Sequence, residues 1–214
     1  MPTDLKRRWN HNTHYHRLVL AALPANARSA LDVGTGDGLL ATDLRERVPE
    51  VVAIDPDAAV LERARASEAD VQWLHGDVMT QSLPLAHFDL VGTIATVHHL
   101  PDLADGLSRF AELTAPGGSV VVVGCARAST VSDYLVEGVG ILQHQVLSRT
   151  RGYWQHSAPV EMRFPHTYSE VRSIATATLP GVRWRRLPLF RYLLHWTRPA
   201  ELGRGAYAVS RRFG

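Results

Sequence analysis

Cysteine is nearly absent: Cys125 stands alone among 214 residues. No disulfide framework and no cysteine-based zinc site can therefore be built, and the composition suits a reducing compartment. Long apolar runs are missing as well. No stretch approaches the ~18–20 apolar residues of a membrane span, and the opening MPTDLKRRWNHNTHYH lacks the apolar centre of a signal peptide. The expectation is a soluble cytoplasmic protein with no membrane partner. Acids are scarce at the C-terminal end. Residues 182–214 hold eight arginines against Glu201, a balance of +7, while residues 1–181 hold 15 Lys/Arg against 20 Asp/Glu, a balance of −5. Such an end can meet nucleic acid, an acidic partner or an anionic substrate, or simply stand solvated.

What is present is a chain with 45% hydrophobic residues, enough for one ordinary domain with a continuous core. Apolar runs alternate with helical patterns, the signature of a parallel sheet covered by helices. Strands are expected over 29–34, 50–55, 71–77, 88–95 and 118–125, with helices over 39–48, 58–66 and 102–113, the last stopping at Pro116-Gly117-Gly118. After Cys125 the rhythm changes. A helix is expected over 130–148, an irregular stretch over 149–166, and a helix to about Leu179 opened by the capping-box spacing of Thr167 and Glu170. Two closing strands, 182–188 and 190–197, are separated at Pro188-Leu189.

The stretch LDVGTGDG, Leu31 to Gly38, spends three glycines in five residues. Glycine within an element costs about 0.5–1 kcal/mol relative to alanine, so the cluster needs a backbone reason. It falls between a strand and a helix, at the carboxyl end of the sheet where open α/β sheets bind ligands. A dinucleotide fingerprint needs G-x-G-x-x-G, but Leu39 stands where its third glycine belongs, which argues against hydride transfer. Asp32 and Asp37 beside the turn suit a ligand with positive charge. Asp55, ending the next apolar run, stands where a carboxylate accepts from both hydroxyls of a ribose. Asp77 ends the third run, placed to accept from an adenine amino group, with the backbone of Val78 at the ring edge. Together these indicate an adenosyl ligand.

The motifs ALDVGTGDG, AIDPD, HGDVM, FDLVGTIATVHHLPD and LSRFAELTAPGGSVVVVG, spread over residues 30–125, resemble the class I S-adenosylmethionine-dependent methyltransferases, in the small-molecule branch similar to the ubiquinone-biosynthesis enzymes. The resemblance implies an α/β Rossmann-like, doubly wound, seven-stranded sheet, mostly parallel with an antiparallel last strand and helices on both faces. It implies S-adenosyl-L-methionine as cofactor. Asp32, Gly34, Gly36 and Asp37 would surround its methionine part, Asp55 would hold the ribose, Pro56 would flank the adenine, and Asp77 and Val78 would bind the adenine edge. Thr93 or Ile94 would lie beside the methionine portion. The N-terminal segment looks like openings that fold over the cofactor, with Tyr15 on the methionine carboxylate and Trp9 closing the lid; packing of Tyr15, Leu18 and Leu23 on the sheet is the alternative.

The resulting organisation is a single domain: a helical lid over 1–28, a cofactor core over 29–126, substrate-covering helices and loop over 127–181, a closing strand pair over 182–199 and a basic tail over 200–214. Methyl transfer chiefly needs alignment of nucleophile, methyl and sulfur, and a hydroxyl acceptor adds the need for a base. His98 and His99, after the fourth strand, are the catalytic candidates. Lesser candidates in the covering region are His144, His156, His166, Tyr153, Glu161 and Tyr168. His11, His14 and His16 are spaced suggestively for metal, but a helix turns i+2 away from i and i+3, so no metal is expected. The chain lacks the Asn/Asp-Pro-Pro-aromatic run of amino-methylating nucleic-acid enzymes and the paired glutamates of protein arginine methyltransferases. The expected partner is a small-molecule acceptor rather than nucleic acid, with Tyr153, Trp154, Phe164 and Tyr168 as apolar lining, Arg149, Arg151 and Arg163 as anion contacts, and a homodimer left open. A cyclase or decarboxylase using the same cofactor, and a non-catalytic cofactor-binding subunit with a basic tail, are the alternatives.

Overall fold

A computed structural model describes residues 9–154 and 164–200. Among these residues seven strands form one sheet: β1 (Ser29–Val33), β2 (Glu50–Asp55), β3 (Gln72–His75), β4 (Phe88–Ile94), β5 (Thr114–Gly124), β6 (Arg183–Leu187) and β7 (Arg191–Thr197). Their spatial order is β3-β2-β1-β4-β5-β7-β6. The first five run parallel, β7 is antiparallel to β5, and β6 is antiparallel to β7. The helices are α1 (His16–Leu20), α2 (Leu39–Arg45), α3 (Ala58–Arg65), α4 (Leu103–Leu113), α5 (Val131–Arg151) and α6 (Tyr168–Thr178).

Strand alternation divides the core into two layers. On one side Leu31 and Val33 of β1 join Leu107 and Phe110 of α4 and Val171 and Ala175 of α6. On the other, Ala30 joins Val19 of α1 and Leu40 and Leu44 of α2. The central strands are buried on both faces, which is why they read as continuous apolar runs. Glycine at position 92 of β4 lets α1 lie close, because a Cβ there would meet the Val19 side chain at 2.9 Å.

Differences from the sequence expectations are local. α2 ends at Arg45 rather than 48. α4 ends at Leu113 as expected, but β5 starts at Thr114 rather than 118, so Pro116-Gly117-Gly118 lie within the strand, at a register irregularity against β4. α5 continues to Arg151, into the stretch expected to be irregular. The N-terminal helix is short: a 3₁₀ turn over Thr13–Tyr15 leads into the five residues of α1. His156, Glu161, Arg163 and the tail arginines Arg204, Arg211 and Arg212 lie outside the described residues.

The β6–β7 turn bears on the site. Leu189 and Phe190 both have positive φ, 52° and 62°, the conformation of a tight primed hairpin turn that normally takes Asn-Gly. Leu189 is fully buried, so packing offsets the backbone strain. Because Tyr192 pairs with Gly124 at the end of β5, this turn stands at the carboxyl edge of the parallel strands.

α6 opens as its spacing predicts. Thr167 Oγ1 accepts from the Glu170 N–H at 3.3 Å, and the Glu170 carboxylate accepts from the Thr167 N–H at 2.7 Å. Thr167→Ala is expected to lower stability by about 1 kcal/mol, the usual worth of such a cap, read as a shift of the denaturation midpoint.

Candidate active site

Strand order reverses at β1, which lies between β2 and β4. The loops after β1 and β4 leave in opposite directions there and open a crevice at their carboxyl ends. Gly34, Gly36 and Gly38 occupy that position with φ of 69°, 54° and 76°, a conformation glycine alone adopts without cost. Their surroundings differ. A Cβ on Gly34 would run into the Thr96 side chain of the β4 loop, and one on Gly38 would meet Trp73 and Ala64 at 2.6 and 2.8 Å. At Gly36 nothing lies within 4 Å. The flanking glycines therefore let loops and helices close up, while the middle one leaves bare backbone facing open space.

Asp55 holds this loop. Its Oδ2 accepts from the Gly36 N–H and its Oδ1 from the Asp57 N–H, both at 2.9 Å. Each oxygen takes one backbone donor and keeps capacity for another, which is what recognition of vicinal hydroxyls requires. Pro56 is exposed beside it, and its carbonyl accepts from His75 Nε2 at 3.0 Å, tying the ends of β2 and β3. Asp77 lies two residues past the end of β3, exposed, and accepts from the Met79 N–H at 2.9 Å. Val78 is buried, and its carbonyl accepts from Arg109 Nε at 3.2 Å.

Asp32 is buried beneath the loop, accepting from the Thr35 hydroxyl at 2.6 Å. Burial pushes its carboxyl up from 3.8 to about 6, opposed by the Thr35 hydrogen bond and by His16, with Asp55 adding repulsion. His16 is itself held by Asp43 of α2 at 2.7 Å. A cation brought to this loop would relieve the burial of Asp32. Asp37 is different: it pairs with Arg63 at 3.1 Å, so its charge is shared with α3.

The other residues that the family resemblance names hold partners within the chain. The Tyr15 hydroxyl donates to the Pro188 carbonyl at 2.6 Å, tying the N-terminal segment to the β6–β7 turn, and burial raises its pKa to about 12. The Thr93 hydroxyl donates to the Val33 carbonyl at 2.8 Å and is buried; it locks β4 to β1 and does not reach outward. Ile94 ends β4, with its carbonyl accepting from Thr96 Oγ1 at 3.1 Å. His98 and His99 form a 3₁₀ turn with Val97 at the same edge. His98 is half-buried against Phe164, ring centroids 5.2 Å apart, and His99 is exposed.

A second cluster was not legible in the sequence. His11 Nε2 and His144 Nδ1 share a hydrogen bond of 3.0 Å across 133 positions. Trp9 stacks on His144, and Tyr153 and Phe190 close the group edge-on or tilted. Burial, with Arg191 nearby, lowers His11 from 6.5 to about 4, so its ring is neutral at physiological pH. Spacing offered no signal for this pair, because its members meet only through the tertiary fold. Among the described residues no three His, Cys, Asp or Glu side chains converge as metal ligands. A surface cavity of about 800 Å³ lies elsewhere, over Tyr168 and Arg186 between the starts of α5 and α6.

A reversing, mostly parallel sheet with an antiparallel final strand, a glycine turn after β1 and an acid ending β2 define the Rossmann-like methyltransferase fold. A family model described as a methyltransferase domain matches residues 31–122. The chain is 43% identical over 197 residues to an uncharacterized methyltransferase of Mycobacterium tuberculosis, covering 89% of this chain and 98% of that one. It is 31% identical over 140 residues to the ubiquinone biosynthesis O-methyltransferase of Alkalilimnicola ehrlichii, covering 63% and 57%. The crystal structure of a SAM-dependent methyltransferase from Aquifex aeolicus superposes with a TM-score of 0.61 at 16% identity, covering 92% and 98%. The chain belongs to the methyltransferase family, whose members draw their methyl group from S-adenosylmethionine.

The raised carboxyl of Asp32 has a stability consequence. Its folded pKa of about 6 exceeds the ordinary 3.8, so the native state binds the proton more tightly and this residue's contribution falls as pH rises between those values. Asp32→Asn should gain on the wild type across that window by on the order of 2–3 kcal/mol. Urea denaturation of both proteins in parallel measures it; a difference independent of pH would show the carboxyl titrates normally.

Proposed function

We propose that this methyltransferase transfers the methyl group of S-adenosylmethionine to an oxygen, nitrogen or carbon atom of a small-molecule acceptor. The observation that carries this reading is the Asp55 carboxylate bonded to the Gly36 N–H beneath an open space. The residues fit the group. Asp55 binds the ribose hydroxyls, bare backbone at Gly36 admits the ligand, and Asp32 supplies the negative charge that favours its cationic methionine part. Asp77 and Val78 hold the adenine edge, with Pro56 on the ring. When bound, the cofactor supplies an electrophilic methyl on a sulfonium. The protein contributes alignment and exclusion of water.

His98 and His99 are the proposed bases for a hydroxyl acceptor, since they stand on the β4 loop that meets the glycine turn through Thr96 and Gly34. A second reading is favoured by buried donors beside the end of β5. Tyr168 and Tyr192 hydroxyls, Arg191 Nε and two nitrogens of Arg186 lack hydrogen-bond partners among the described residues. Arg186 lies 3.5 Å over the Tyr168 ring and approaches two carboxylates of α5, Asp133 at 3.9 Å and Glu137 at 3.6 Å. The two tyrosine hydroxyls and Arg191 Nε are donors that would suit an acceptor group such as a carboxylate, which needs no base to become nucleophilic. The Yersinia pestis malonyl-[acyl-carrier protein] O-methyltransferase, 28% identical over 177 residues, covering 74% of this chain and 64% of that one, and the trans-aconitate 2-methyltransferase of an Azoarcus strain, 33% identical over 113 residues, covering 51% and 44%, are named for acceptors that carry carboxylates.

Asp55→Ala is expected to weaken S-adenosylhomocysteine binding by roughly 2–3 kcal/mol, the scale of charge-assisted hydrogen bonds; unchanged affinity in calorimetry would sink the assignment. For a hydroxyl acceptor, His99→Ala should slow methylation about 10²-fold. A near-normal rate would make His99 a loop residue and move the acceptor to a group that is already anionic.

A further inference from the structure

α5 is amphipathic in the wrong direction for a monomer. Of its 21 residues only Gly140 is buried, where a Cβ would come within 3.0 Å of the Leu189 backbone. The face turned toward the protein is largely polar. Asp133 and Glu137 approach Arg186 at 3.9 and 3.6 Å, and His144 bonds His11 and Ser148. The face turned to solvent carries Val131, Tyr134, Leu135, Val139, Leu142 and Val146, each 58–78% exposed. From position 131 to 148 this outer face has no charged residue.

We propose that the outer face of α5 is the interface with a second copy of this chain, the two α5 helices packing antiparallel about a two-fold axis. Leu135, Val139, Leu142 and Val146 follow one another at spacings of four, three and four, with leucine and β-branched valine alternating, the arrangement of a two-stranded helical seam. Gly138 lies on the same face with nothing within 4 Å of a Cβ, which lets a second helix approach closely. The stripe from 131 to 148 is about 27 Å long, and each copy brings six exposed large apolar side chains to it.

Charge selects the orientation and the occupant. In a parallel pair the next seam position, Arg149, would face its own copy. In the antiparallel pair Arg149 lies across from the partner's Ser132, while Val139 faces the partner's Leu142 and Leu135 faces the partner's Val146. The axis crosses the helix at the level between Gly140 and Ile141, so the contact is self-complementary. An anionic lipid surface is a poorer match, because an interfacial helix keeps cations along its polar flank, whereas residues 131–148 contain no lysine or arginine. Neither the acceptor nor the cofactor enters into this contact.

Light scattering coupled to gel filtration on the full chain at micromolar concentration tests it, with Leu142→Glu and Val139→Lys as variants. Both positions are exposed in the single chain, so the variants keep its fold, checked by thermal denaturation. The expected result is a dimer for wild type, a monomer for each variant alone, and a dimer again when the two variants are mixed. In the mixture the carboxylate introduced on one copy meets the ammonium introduced on the other. A monomeric wild type overturns the proposal, as does a variant that remains dimeric or a mixture that remains monomeric. Sedimentation of a monomeric wild type with vesicles of phosphatidylglycerol would assign the face to lipid instead.

Discussion

One carboxylate organises the cofactor end of this molecule. Asp55 sits where β2 leaves the sheet and draws the Gly36 N–H toward it, so the turn after β1 is shaped by the neighbouring strand. That bond makes sense only at a point where strand order reverses, because β1 lies next to β2 on one side and β4 on the other. The β4 loop then comes against Gly34 through Thr96. Three strand ends thereby meet around bare backbone, with a buried acid, Asp32, beneath it. Burying that carboxylate costs stability, which is intelligible if the site takes up a cation.

A second hub is the β6–β7 turn. Two bulky residues in left-handed backbone would be unfavourable on their own. Here Leu189 is sealed beneath α5 at Gly140, and the preceding Pro188 carbonyl takes the Tyr15 hydroxyl. The N-terminal segment, the final hairpin and α5 are joined at this point, on the same edge as the glycine turn. The inward polar residues of α5 follow from it, since they serve Arg186 of β6 and His11 of the N-terminal segment. The apolar residues of the helix are left to face outward.

How much of this the sequence disclosed varies with the range of the interactions involved. The strands and helices of the first 125 residues were legible to within a few positions, because each buries apolar side chains at the period its own geometry dictates. The α6 cap was legible because Thr167 and Glu170 are three residues apart. The positions of Asp55 and the glycines could be read because they lie at the ends of strands that the pattern already marks. The end of α4 at Leu113 was legible, but the start of β5 was not: proline and glycine are tolerated at its irregular beginning, so the strand sets in at Thr114, four residues before the apolar run that marks it. The partners of Tyr15 and Thr93 were not legible, because their hydroxyls donate to the Pro188 and Val33 carbonyls, 173 and 60 positions away.

The sequence by itself therefore determined the layered α/β architecture, the glycine turn and the acids around it, since hydrophobic periodicity and backbone conformation are local properties. Only the tertiary structure decided that His11 meets His144, that Arg186 is claimed by α5, and that α5 turns its apolar side away from the core. An amphipathic helix has two faces, and its period is the same whichever one is buried. The choice between them is made by what the rest of the chain brings to meet it.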